Sequence, residues 1–173
     1  MRQGGTIRAY SSCEGMEHGL ENETVVDYWL DKSSWKILSV SSEQSEGEGA
    51  ARTIDGNPFT FWHTPYFPTV TPCPHEVVID MSHAYQVAQF VYQGRSDSGN
   101  GRIKDYEVSF SNDPHTWGVP AITGTLLNTS APQKVAVPGT PTARYMKLTV
   151  RSTHDNQGYA TAAELGIMPV LNK

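Results

Sequence analysis

The chain has no excess of positive charge, no long apolar run and almost no cysteine, and each shortage removes a class of function. Eighteen acidic side chains against thirteen basic ones give a formal charge of −5. There is no basic stripe to track phosphates, so nucleic acid is excluded as an expected partner. No apolar segment approaches the roughly twenty residues that a membrane span requires. The two cysteines, Cys13 and Cys73, match no metal-ligand or redox spacing. A disulfide in an oxidising compartment and two unrelated free thiols both stand as readings. HExxH, GxSxG and phosphate-loop patterns are missing, and neither cysteine has catalytic context. Helical periodicity is never sustained over three turns. The N-terminus, MRQGGTIRAY, has neither the apolar core nor the small-residue cleavage site of a secretory signal, which fits a cytosolic chain or the cut edge of a longer polypeptide.

What the chain does have is glycine (15) and proline (11), with abundant Ser, Thr and Asn, a composition of turn-rich β proteins. Its 173 residues suffice for one well-cored domain with an N-terminal attachment. Residues 6–10 suit a short strand, and residues 1–33 read as a linker or the tail of a preceding module. From Ser34 onward alternation sets in. Strands are expected from Trp35 to about Ser42, over 75–81, 85–93, 104–111, 119–127, 133–137, 143–151 and 161–169. Tyr106, Val108 and Phe110 share one face, and Val135, Val137, Met146, Leu148 and Val150 are expected in the core, with Trp35 and Trp62. Trp117 is expected to cap a turn. About eight strands at roughly ten-residue spacing predict an all-β fold, an antiparallel β-sandwich or jelly roll, over residues 34–173.

The rest of the chain is organised around residues 50–66, AARTIDGNPFTFWHTPY. Asp55, Gly56 and Asn57 make a turn in which glycine supplies positive φ and the flanking oxygens face a common point. Thr60 adds a hydroxyl and a carbonyl. Hard oxygens at this spacing suit Ca²⁺, although the pattern is not that of an EF-hand and a plain polar turn is the competing reading. Just beyond it, Trp62, His63 and Tyr66 pair a ring nitrogen with two amphipathic rings. His63 read by itself is equally a buried, hydrogen-bonded histidine.

Four segments, DGNPFTFWHT, HEVVIDM, GRSDSGNGRIKDYEVSFS and TAAELGI, together resemble the discoidin-like (coagulation factor 5/8 type C) domains. Within these they resemble the family 32 carbohydrate-binding modules appended to bacterial glycan-degrading enzymes. The resemblance implies a β-sandwich jelly roll with a structural Ca²⁺ and a shallow glycan site in loops at one end. It implies a cation held by Asp55, Thr60 and Glu164, with backbone oxygens from Arg52, Asn57 and Ala163. One ion would then join the start of the core to its last strand. By the same resemblance the sugar-binding residues are His63, Arg95, Asn100, Tyr66 and Tyr159, with Glu43 on the adjoining loop. The chemistry is sensible by itself. An axial hydroxyl puts two neighbouring oxygens on one edge, where imidazole, guanidinium and amide donate and accept together, while the apolar sugar face lies on an aromatic plane.

The expected function is that of a non-catalytic, monomeric module. It would bind terminal galactose or N-acetylgalactosamine and target a parent enzyme, in a secreted, periplasmic or cell-surface setting. Catalysis is the weaker alternative, since only Glu43 and Glu46 lie near the site in sequence and glycoside hydrolysis needs a carboxylate pair. Membrane or cell-surface adhesion is the other alternative. It calls for exposed apolar loop residues, whereas EQSEGEG, GRSDSGNG and STHDNQGY are polar.

Overall fold

The computed structural model describes residues 5–9, 22–26 and 30–170. The chain divides into two compact units, residues 1–31 and 32–173. In the first unit, β1 (Gly5–Ala9) pairs antiparallel with β2 (Asn22–Val26). The strand at 22–26 falls where the sequence suggests only a linker: NETVV is short, but its β-branched residues find a partner. Cys13 lies outside the described residues.

The second unit carries β3 (Lys36–Val40), two short 3₁₀ turns (Glu46–Glu48 and Ala50–Ile54), β4 (Trp62–His63) and β5 (His75–Gln93). These are followed by β6 (Asp105–Ser111), β7 (Ile122–Thr125), β8 (Gln133–Ala136), β9 (Thr142–Val150), β10 (Thr161–Ala162) and β11 (Glu164–Pro169). Every pairing between these strands is antiparallel. The fold is a β-sandwich, and β5 belongs to both of its layers. Its first half pairs with β3 and β9, and β9 continues to β6 and β7. The second half pairs with β11 on one side and β8 on the other.

Two separate strands are expected from the sequence where β5 runs unbroken for 19 residues. The polar residues between them form a bend inside one strand. Ser82 has φ of +71°, its N–H bonding back to Asp80 Oδ1 at 2.8 Å, and the register to β9 shifts between Asp80 and Tyr85. A strand turned in this way can leave one layer and enter the other. The expected strand at 161–169 is divided instead, into β10 and β11, at Ala163.

The core lies between the layers. Val77, Ile79 and Met81 alternate inward from the first half of β5, and Val87, Phe90 and Tyr92 come from the second half. Facing them are Val108, Met146, Leu148, Val150, Leu165 and Ile167. Phe90 stacks on Tyr106 at 5.7 Å. Trp35 and Trp62 are buried, as expected. Val137 is buried too, whereas Val135 and Phe110 are half-buried.

Candidate functional site

Trp62 and His63 occupy adjacent positions of β4, so their side chains take opposite faces. Trp62 enters the core and its indole N–H donates to Ser42 O at 3.0 Å. His63 points to the other side, only 4% exposed, and its Nδ1 lies 2.6 Å from the carbonyl oxygen of Thr64. A carbonyl can only accept, so Nδ1 carries the proton and Nε2 presents a lone pair. Burial pushes this imidazole below its ordinary pKa, against smaller upward pulls from the Thr64 bond and the Glu48 charge. His63 is therefore neutral at pH 7, with one acceptor nitrogen.

The loop carrying Tyr159 is fastened to the same segment. Thr64 N–H donates to Ala160 O at 3.0 Å, Ala160 N–H donates to Thr64 Oγ1 at 2.8 Å, and Thr161 pairs with His63 across β10 and β4. Buried His75 donates from Nε2 to Gly158 O at 2.8 Å, and the free thiol of Cys73 donates to the same oxygen at 3.3 Å. From the other side, Gln44 Oε1 accepts from the backbone of Tyr66 (2.8 Å) and Phe67 (3.2 Å). These anchors bring the rings of Tyr66 and Tyr159 to 4.4 and 5.1 Å from the His63 ring. The Tyr159 hydroxyl is held above the usual phenol range, first by burial and then by the Asp155 carboxylate.

Arg95 and Asn100 come from the loop after β5. The Arg95 guanidinium lies 3.9 Å over the Phe61 ring and donates from Nε and Nη2 to the two oxygens of Asp97, at 2.7 and 2.6 Å. This fork fixes the plane of the guanidinium and leaves Nη1 outside the ion pair. Asn100 is placed through its backbone: Thr161 Oγ1 donates to Asn100 O at 2.9 Å. Next to it, Gly101 has φ of +67°, and a Cβ there would meet Tyr159 and Thr161 side-chain atoms at 3.1 Å. Its N–H donates to Asp155 Oδ2 at 2.8 Å. Only glycine fits so close an approach.

His63, Arg95, Asn100, Tyr66, Tyr159 and Glu48 together line an open cavity of about 330 Å³. Five of these are residues singled out in the sequence. Glu43 is not among them; its carboxylate accepts the Ala50 N–H at 2.9 Å instead. Glu48 brings a carboxylate to the wall instead. Sequence reasoning missed Phe61, whose role is to seat Arg95, and Phe67, which is 71% exposed beside the cavity residue Tyr66. The alternation in FTFWH pairs Phe61 with His63 on one face and was the available signal for the former.

The arrangement offers one neutral acceptor, a braced guanidinium, an amide, a carboxylate and two phenol rings around a shallow opening. Residues 36–165 match the profile of the F5/8 type C domain. The chain belongs to that family. It is 34% identical over 147 residues to a sialidase of Micromonospora viridifaciens, covering 83% of this chain and 23% of the sialidase. The chain thus spans about a quarter of that relative's length. Among solved structures, the C-terminal domain of a chitobiase from Bacteroides fragilis superposes with a TM-score of 0.73 at 33% identity, covering 83% of this chain and 99% of that one. A family 32 carbohydrate-binding module from Clostridium perfringens, in complex with GalNAc-β-1,3-galactose, gives 0.72 at 27% identity, covering 80% and 98%.

In this F5/8 type C domain, the residues expected to hold a cation lie in the turn before β4 and at the start of β11. Asp55 Oδ1 accepts from Asn57 N–H at 2.8 Å and Oδ2 from Thr60 Oγ1 at 2.7 Å, and Gly56 turns with φ of +75°. Asn57 O accepts from the N–H and the hydroxyl of Thr60, at 3.1 and 2.9 Å. Arg52 Nη1 stands 3.6 Å from Asp55 Oδ2. Ala163 is held by its N–H donating to Gln93 O at 2.8 Å. The Glu164 side chain is 4% exposed, its Oε1 buried with no hydrogen-bond partner. Burial raises the Glu164 pKa, the Lys32 ammonium opposes that rise, and the Asp55 carboxyl adds to it. The Asp55 carboxyl interacts with that of Glu164, whose Oε1 is orphaned, and hard carboxyl oxygens of this kind fit the chemistry of calcium.

Proposed function

We propose that this domain is a non-catalytic module that binds terminal galactose or N-acetylgalactosamine through the His63 cavity and so targets a larger glycan-active polypeptide. The carrying observation is the convergence of His63, from strand β4, with Arg95 and Asn100, from the loop after β5, beside the rings of Tyr66 and Tyr159. His63 Nε2 accepts from one sugar hydroxyl. Arg95 Nη1 and the Asn100 amide serve its neighbours, and a tyrosine face takes the apolar side of the ring. Support comes from the C. perfringens neighbour, whose ligand contains both sugars. Lone Glu48 in the wall does not make the carboxylate pair that glycoside hydrolysis needs. The same reading implies a secreted or cell-surface setting, where such glycans occur.

A few hydrogen bonds and one stacking contact on an open surface give a dissociation constant on the order of 0.1 to 1 mM. Titration calorimetry with galactose, N-acetylgalactosamine, glucose and a uronic acid tests this. Heat with the first two is expected, and heat only with the last two would overturn the choice of sugar. The cradle of Asp55, Thr60 and Glu164, with the carbonyls of Arg52, Asn57 and Ala163, holds a calcium ion whose part is structural. It lies apart from the cavity residues, so the ion stabilises the folded form without touching sugar.

A further inference from the structure

Lys32, which the reading of the sequence leaves in the linker, is the first residue of the folded unit. Its stem runs inward until the side chain is 9% exposed. The ammonium donates to three oxygens, Thr53 O at 3.3 Å, Leu165 O at 3.0 Å and Glu164 Oε2. An ammonium has three N–H groups, so this is a complete set. Thr53 lies beside Arg52, and Leu165 beside Glu164. The lysine therefore stands at the rim of the cradle and divides one carboxylate with it: Oε2 goes to Lys32, while buried Oε1 is left unpartnered.

The geometry points to Lys32 as a built-in counter-charge that holds the cradle together without an ion and thereby weakens the domain's dependence on calcium. The inference rests on the calcium reading above. Asp55 is exposed and has the Arg52 guanidinium 3.6 Å away, but Glu164 is buried beside it, and without the metal or Lys32 its carboxylate would have no counter-charge, a costly arrangement. The ammonium neutralises one of the two charges. With the metal bound, the same ammonium sits close to a divalent cation and repels it. Both effects act in one direction, stabilising the metal-free fold and lowering the gain on binding. A lysine that merely oriented Glu164 for the ion would act in the opposite direction.

The test is thermal unfolding of the full chain in chelator and in millimolar calcium, for wild type, Lys32→Met, Lys32→Arg and the double variant Lys32→Met/Glu164→Gln. Wild type should stay folded in chelator, with a small rise of melting temperature in calcium. Lys32→Met should melt roughly 5 °C or more lower in chelator, and calcium should raise its melting temperature by at least about twice the wild-type shift. Lys32→Arg should keep the small shift. The double variant, lacking both the charge and its partner, should lose most of the response. A calcium shift in Lys32→Met equal to or smaller than that of wild type overturns the role of Lys32 and leaves the calcium reading standing. No shift in any variant overturns both. A wild-type chain that unfolds in chelator at room temperature overturns the inference whatever Lys32→Met does.

Discussion

His63 is both a sugar ligand and a structural residue in this reading, and the structure shows why the two cannot be separated. Its ring is packed between Tyr66 and Tyr159, not held out on an exposed loop. His63→Ala should abolish sugar binding in calorimetry and also cost about 1 to 3 kcal/mol of stability, since it opens a gap between two rings. Arg95→Lys is the cleaner variant. It keeps the charge but loses the fork on Asp97 and the fit over Phe61, so affinity should fall about tenfold or more while the melting temperature stays within about 2 °C. The same histidine sets a pH dependence. Its folded pKa lies below the ordinary imidazole value, so the stability from keeping it neutral is present above that value and lost as pH falls through the lowered one. Sugar binding should be flat between about pH 7 and 9, and should weaken only as the pH falls through the lowered folded value, which lies beneath the ordinary histidine value of about 6.5, where Nε2 gains a proton and ceases to accept. Binding that is unchanged well below that lowered value would show that Nε2 does not accept from sugar.

The turn at Gly101 couples the two sides of the site at the scale of an element. Asn100 precedes it, Tyr159 packs on it, and Asp155 holds its N–H. Gly101→Ala should cost about 1 to 3 kcal/mol from positive φ alone, with further loss of sugar affinity because the new methyl displaces Tyr159. Melting and titration of one sample measure both. Lost stability with unchanged affinity would place Tyr159 outside the binding surface. The fused strand β5 shows the opposite relation between a local signal and an element. HEVVIDM and YQVAQFVYQ each read as a strand, and each is one. Their joining through Ser82 depends on Asp80, itself fixed by Arg144 at 2.8 Å through both carboxylate oxygens, a contact between residues far apart in the chain.

At the scale of the whole molecule, β5 makes the two layers one cooperative body. Phe90, fully buried in its second half, stacks on Tyr106 of the other layer. Phe90→Ala should cost about 3 to 5 kcal/mol and lower a single unfolding transition. Two resolved transitions by circular dichroism would show that the layers melt separately. The same connectivity is why the proposed cation would matter for stability, since Glu164 opens β11 while Asp55 closes the 3₁₀ turn before β4. Chelation should lower the melting temperature of the wild-type chain modestly and leave galactose affinity intact at low temperature. Affinity that tracks calcium in a still-folded sample would refute a purely structural ion.

Local physics, acting on the sequence by itself, determined much of this protein. Alternation at period two fixed which faces of β5, β6 and β9 are buried, because a strand can hide only every second side chain. Glycine and asparagine marked the turns, since positive φ is a property of the residue itself. The cavity residues His63, Arg95 and Asn100 were legible through the pattern of a family, not through spacing. Their meeting in space was decided by tertiary structure, through the bonds tying Thr64 to Ala160 and Thr161 to Asn100. So was the choice of carboxylate at the wall. Glu43 and Glu48 lie on one short polar stretch and look alike in sequence, but the Ala50 N–H takes the first and leaves the second to the cavity. Lys32 was invisible for the same reason. A lone lysine in a polar segment carries no periodic signal, and its role depends on three oxygens from the 3₁₀ turn and the final strand, which only the closed sandwich brings within reach.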